Sequence, residues 1–233
     1  MGGGAMNSQH SSAHLMDAGS PLPCFHVRSG YTGRSCLRCE ETDVIRLRKV
    51  LSAKTWIGFD LDNTRHEFRR SSGAATSAIF EKISNQYAIP VSALKTEYLQ
   101  ILRTKTANTF TDGKTSFDYR RKRFSSLMRH FSVSEDEDFV TRLLEHYEST
   151  LTAALELRSG VVDLLVILSG MGKKIVVITE GPQDAQERTL KALGIDKYVD
   201  FLATTNFFRV SKTEGLFSEV LHHSGISASD IAY

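Results

Sequence analysis

Apolar residues return along this chain with two different periods, and the switches between them mark its organisation. Trp56–Phe59 is a short, mostly apolar run bounded by polar residues, which reads as a buried strand. A long stretch of helical period follows. Ala75, Ile79, Ile83 and Tyr87 share one face, ended by Pro90, and Leu94, Tyr98, Ile101 and Leu102 make a second. Phe117, Phe124, Leu127, Met128 and Phe131 make a third stripe, and Val140, Leu143, Leu144, Tyr147 and Leu151 a fourth. From Val161 the pattern alternates. Helices are predicted over 161–168, 182–193 and 214–223, with strands at Lys174–Thr179, Phe201–Thr204 and from 231 to 233. Such alternation implies an α/β fold, a parallel sheet with helices on both faces, carrying a four-helix insertion after its first strand.

Before that strand the pattern is weak. MGGGAMNSQHSS opens a Gly-, Ser- and His-rich stretch that predicts a flexible tail over 1–41. From Thr42, a plausible cap, Val44, Leu47, Val50 and Leu51 fall at helical spacing. All three cysteines lie in the tail, an odd number that makes no closed disulfide framework. Cys36 and Cys39 form a CxxC that Cys24 and His26 could complete as four zinc ligands, but the spacing matches no common finger. An unliganded tail is the other reading. Neither signal-peptide features nor the myristoylation pattern is present, Met6 standing where Ser or Thr is required. No apolar run approaches the roughly 18 residues that cross a membrane. The net charge of +2 is too mild to call for nucleic acid, and the densest cluster, Arg120-Arg121-Lys122-Arg123, reads as a solvated helix face. The expectation is a cytoplasmic protein without nucleic-acid or membrane partners.

The candidate chemistry sits where the first strand ends. Asp60 and Asp62 stand two positions apart in Phe59-Asp60-Leu61-Asp62-Asn63-Thr64, and open α/β sheets bind ligands at that strand end. One carboxylate there can attack an electrophile while the other moves a proton. Two buried acids call for a cation or hydrogen bonds to hold them charged.

FDLDNT resembles the first signature of the haloacid dehalogenase superfamily. The second signature, a strand ending in Thr or Ser, is matched by Lys174–Thr179, and the third, a lysine, by Lys212 in Val210-Ser211-Lys212-Thr213. The fourth, a Gly-Asp step with further acids, belongs after the strand beginning at Ile231. The sequence given stops at Tyr233, and the expectation is that the reading frame continues. The resemblance implies a Rossmann-like core over 42–68 and 159–233 and a helical cap over 69–158. It implies Asp60 as nucleophile, forming an aspartyl-phosphate, and Asp62 as general acid and then base. Thr179, Lys212 and the backbone amides of Leu61 and Asp62 would hold phosphoryl oxygens. Mg2+ would be bound by the Asp60 carboxylate, the Asp62 carbonyl and fourth-signature acids.

Several positions depart from the family's pattern: Glu180 stands where Asn is commoner, Thr213 where proline often follows the lysine, and Arg65 where an apolar residue is usual. In the cap, Asp112, Lys114, Asp118 and Arg120 lie in or just after a Gly-containing break that could reach the substrate or be a solvated loop. An acid at Asp62 favours phosphoryl transfer over carbon–halogen hydrolysis, since a halide leaves without a proton. Phosphatase and phosphomutase are not separable on these residues. The expected function is a magnesium-dependent hydrolase of a small phosphomonoester, impaired if the fourth signature is missing; the alternative is an inactive protein of the same fold that binds a partner or phosphorylated ligand.

Overall fold

Trp56–Phe59 (β1), Lys174–Thr179 (β2), Phe201–Thr204 (β3) and Ile231–Ala232 (β4) pair in one parallel sheet, in the order β3-β2-β1-β4. The computed structural model describes residues 49, 51–62, 64–104, 110–133 and 136–233. The expected tail, with Cys24, His26, Cys36 and Cys39, and all of the expected Thr42–Leu51 helix except Lys49 and Leu51 lie outside them. Leu51 packs against the core.

Strand pleating sends alternate residues to opposite faces, and both are covered. Ile57, Phe59, Ile175 and Val177 pack against Val161–Gly170 (α5) and Gln183–Ala192 (α6) through Val161, Leu165, Leu168 and Leu190. Val176, Ile178 and Ile231 point the other way, onto Leu216 and Val220 of Leu216–Ser224 (α8). The parallel α/β sheet is as the sequence implies. Two helix starts differ. Pro182 stands just outside α6 as its N-cap, its ψ of 135° being extended rather than helical. Glu214 sits in a short 3-10 turn, Lys212–Glu214, because Gly215 takes φ +112° before α8 begins. A short helix, Thr205–Phe208 (α7), was not expected; the Thr204 hydroxyl caps it, accepting from the Phe207 amide at 3.0 Å.

Between β1 and α5 stand Phe68–Tyr87 (α1), Val91–Arg103 (α2), Ser116–His130 (α3) and Glu137–Ala153 (α4), packed around their own core of Ile79, Ile83, Leu94, Phe124, Leu127 and Leu143. Thr115 and Asp118 form a reciprocal capping box at the start of α3. The two chain segments joining these helices to the sheet run side by side. The Arg158 amide donates to the Arg65 carbonyl at 3.0 Å, His66 bridges to Leu157, and the Ser71 hydroxyl donates to the Ala154 carbonyl at 2.7 Å. Among the described residues no helix is long and apolar enough to cross a membrane.

Candidate active site

β1 stops at Phe59, and the chain turns sharply there: the amides of Thr64 and Arg65 both donate to the Leu61 carbonyl, at 3.4 and 2.9 Å. The Leu61 side chain is fully buried and anchors the turn in the core. This leaves Asp60 and Asp62 on the sheet's C-terminal edge, each held by a different pair of groups.

Asp60 Oδ1 accepts from Lys212 Nζ at 2.5 Å, and Oδ2 from the Thr64 hydroxyl at 2.9 Å. Lys212 also donates to the Tyr233 hydroxyl at 3.2 Å, which donates on to the Ile178 carbonyl. Partial burial pulls the Lys212 ammonium down, but its bonds to Asp60 and Tyr233 outweigh that, and its proton is held above the ordinary lysine range. Thr179 ends β2, beside β1, with 1% of its surface exposed. Its hydroxyl has no partner among the described residues. A buried hydroxyl without a partner is costly.

Asp62 is clamped on both oxygens. Oδ1 lies 3.0 Å from His66 Nε2, and Oδ2 accepts from Gln186 Nε2 at 3.1 Å. Gln186 also donates to the Glu180 carbonyl, and its close approach needs Gly181: a Cβ there would meet Gln186 Nε2 at 2.8 Å. A cavity of about 120 Å³ opens from Asp62 between sheet and insertion, bordered by Arg123, Tyr147, Glu148 and Gln186.

Thus Asp60 and Lys212 meet directly, Thr179 and Leu61 lie at the same edge, and Asp62 faces the cavity. His66 and Gln186 were not anticipated. The signal for each was a polar residue in an inward-facing slot: His66 in a turn entering the insertion, Gln186 on the buried stripe of α6 with Thr189 and Leu190. Arg65 lays its guanidinium 3.9 Å from the Phe59 ring centroid, and burial lowers its pKa against the opposing pull of Asp60.

Arg120 corrects the expected solvated face. Only 8% exposed, it pairs with Glu148 and lies 4.5 Å over the Tyr147 ring. Glu148 also takes Arg188 Nε of α6 at 2.9 Å, while Arg188 holds Asp184 at 2.9 Å and the Ser116 hydroxyl at 2.7 Å. Burial alone would raise the Asp184 carboxyl, but hydrogen bonds from Ser116 and Arg188 hold it below the usual carboxylate value. This network fastens the insertion to the sheet domain. Arg188→Ala is expected to lower unfolding free energy by about 1–2 kcal/mol in urea titrations, partial exposure tempering the loss. Added salt should narrow the gap to wild type. The cap-loop residues Asp112 and Lys114 pair with each other, and Asp118 is absorbed by the capping box.

Magnesium needs near-octahedral oxygen ligation, commonly from one or two carboxylates, substrate and water. Among the described residues no three His, Cys, Asp or Glu side chains converge on one point, and both Asp60 oxygens already accept hydrogen bonds. Among the described residues the Asp60 carboxylate is the acidic ligand at this edge that such an ion would use.

Residues 55–232 match the sequence profile of the haloacid dehalogenase-like hydrolases. The chain belongs to that family. No curated protein matches this haloacid dehalogenase-like chain significantly. Solved structures of similar fold include a 2-haloacid dehalogenase from Pseudomonas syringae pv. Tomato DC3000, at 19% identity, covering 76% of each chain with a TM-score of 0.56. YfnB of Bacillus subtilis, assigned as a HAD-hydrolase and bound to magnesium, is 22% identical over 76% of this chain and 78% of its own, with a TM-score of 0.57. A HAD phosphatase from Thermococcus onnurineus is 19% identical over 76% and 74%, with a TM-score of 0.53. At these identities the likeness is one of fold, and it spans dehalogenase and phosphatase alike.

Proposed function

We propose that this haloacid dehalogenase-like hydrolase cleaves small phosphomonoesters through Asp60. The observation that carries the reading is Asp62, a second carboxylate held by two partners and lining the cavity. An alkoxide leaving from phosphorus needs a proton, whereas a halide leaving from carbon does not, so a fixed proton carrier beside the nucleophile fits phosphoryl chemistry.

In the first step an Asp60 oxygen attacks phosphorus and the bond to the ester oxygen breaks, that oxygen taking a proton from Asp62. In the second step Asp62 takes a proton from water, the water oxygen attacks phosphorus, and the bond to Asp60 breaks, releasing inorganic phosphate and restoring the carboxylate. Lys212 balances charge on Asp60 and the phosphoryl oxygens, and the Thr179 hydroxyl gains the partner it lacks. In relatives that bind magnesium the cation adds charge neutralisation; here Asp60 and the Asp62 carbonyl are the groups to offer it.

Thr179→Val tests the reading in two opposite directions. Removing an unpartnered buried hydroxyl should raise unfolding free energy by about 1 kcal/mol. The same change should weaken inorganic phosphate binding and lower phosphate release from p-nitrophenyl phosphate by about tenfold or more. A wild-type chain that binds phosphate without turning over any ester would favour the inactive, ligand-binding alternative. Faster turnover in the valine variant would remove Thr179 from the site.

A further inference from the structure

His66 is a polar side chain with none of its surface exposed, and it lies in the segment joining sheet to insertion. Its Nε2 faces Asp62 Oδ1 at 3.0 Å, while Nδ1 is buried without a partner among the described residues. A hydrogen on Nε2 donates to Asp62 Oδ1 and leaves Nδ1 as an acceptor. Gln186 shows the same orientation from the other side: Nε2 has two acceptors, Asp62 and the Glu180 carbonyl, and Oε1 has none among the described residues.

We infer that His66, seconded by Gln186, is a positioning residue that fixes the Asp62 carboxylate toward the ester's leaving oxygen. The inference rests on Asp62 being the proton carrier of the proposed hydrolysis. The geometry is suited to the task. The two donors come from separate parts of the fold, the hinge segment and α6, and each takes one oxygen. Together they fix the torsion of a side chain that would otherwise swing into the cavity. His66 is itself tied down: its backbone bridges to Asp62 and Leu157, and its ring meets Phe68 edge-on at 5.9 Å. Misplacement of a reacting group by about 1 Å can cost two decades in rate, so a carboxylate held by one donor instead of two transfers its proton less well.

The test compares p-nitrobenzyl phosphate, whose leaving oxygen needs a proton, with p-nitrophenyl phosphate, whose leaving oxygen scarcely does, on the full chain. His66→Phe keeps the ring and removes the donor. The ratio of kcat/KM for the benzyl ester to that for the phenyl ester is expected to fall by about tenfold. His66→Gln, whose amide nitrogen reaches the position of Nε2, should bring the ratio back to within about threefold of wild type. A ratio taken on one preparation is insensitive to how much of it is folded. Equal losses on both esters, or no recovery in His66→Gln, overturn the inference. A wild-type chain inactive on both esters overturns the proposed hydrolysis instead. Ring-nitrogen NMR shifts of His66 then decide the clamp alone: a proton on Nε2 with Nδ1 bare is expected, and the reverse tautomer overturns it.

Discussion

Asp60→Asn is expected to leave a folded protein whose release of phosphate from p-nitrophenyl phosphate is lowered by about four decades or more. An amide is not a nucleophile at phosphorus, and removing the attacking group of a covalent mechanism typically abolishes nearly all of its advantage. The change is almost isosteric, and Thr64 can still donate to the amide oxygen. Its structural cost falls on Lys212, which loses the anion 2.5 Å away. Both side chains are close to one-third exposed, 30% and 31%, so solvent screens the pair and the loss of stability should stay near 1 kcal/mol or below. Rate and stability are thus predicted to separate. Circular dichroism melts alongside the phosphate assay check both, and a variant that keeps wild-type turnover would take Asp60 out of the mechanism. Run with added magnesium and with a chelator, the same assay measures what a cation contributes.

The sheet was legible because its strands are continuous apolar runs. Lys174–Thr179 has five buried residues in succession, alternating between two covered faces, and its short run of Ile and Val is that of a central strand. The four stripes of the insertion were equally plain, since each helix buries one face. Asp60 and Asp62 could be found because they lie two positions apart on one turn, and Lys212 through the resemblance. What escaped were the polar groups that meet a distant partner and that no motif marks. Gln186 meets Asp62 across 124 residues of chain, and Arg188 meets Glu148 across 40. Arg120 belongs to a run of four basic residues that looks solvated; Glu148 and the face of Tyr147 on the next helix make its burial tolerable. His66 is only four residues from Asp62, yet it is paired with Leu157, on the return segment from the insertion. Local pattern reports which face is apolar. It does not report which polar residue a tertiary contact will enclose.

Phe124→Ala should be the most destabilising single change proposed here, lowering unfolding free energy by about 3–5 kcal/mol. Phe124 is fully buried at the centre of the four-helix insertion, its ring 6.0 Å from Tyr98 and 5.9 Å from Tyr147. Truncation removes the transfer energy of a phenyl group and leaves a void that three helices bound, so collapse around it is limited. Both bordering tyrosines are buried: burial lifts the Tyr98 hydroxyl to a pKa of about 12, and Tyr147 lies beneath Arg120. Through Arg120 and Glu148 the disturbance reaches Arg188 on α6, so the fastening between insertion and sheet domain should loosen as well. Urea unfolding followed by far-ultraviolet circular dichroism measures the first effect. Protease sensitivity of the segments around residues 65 and 158, where the insertion joins the sheet domain, measures the second. A loss under about 1 kcal/mol would mean that the cavity refills and that Phe124 is not the centre of this core. A full loss with unchanged proteolysis would mean that the insertion softens internally while the Arg188 network still holds it in place.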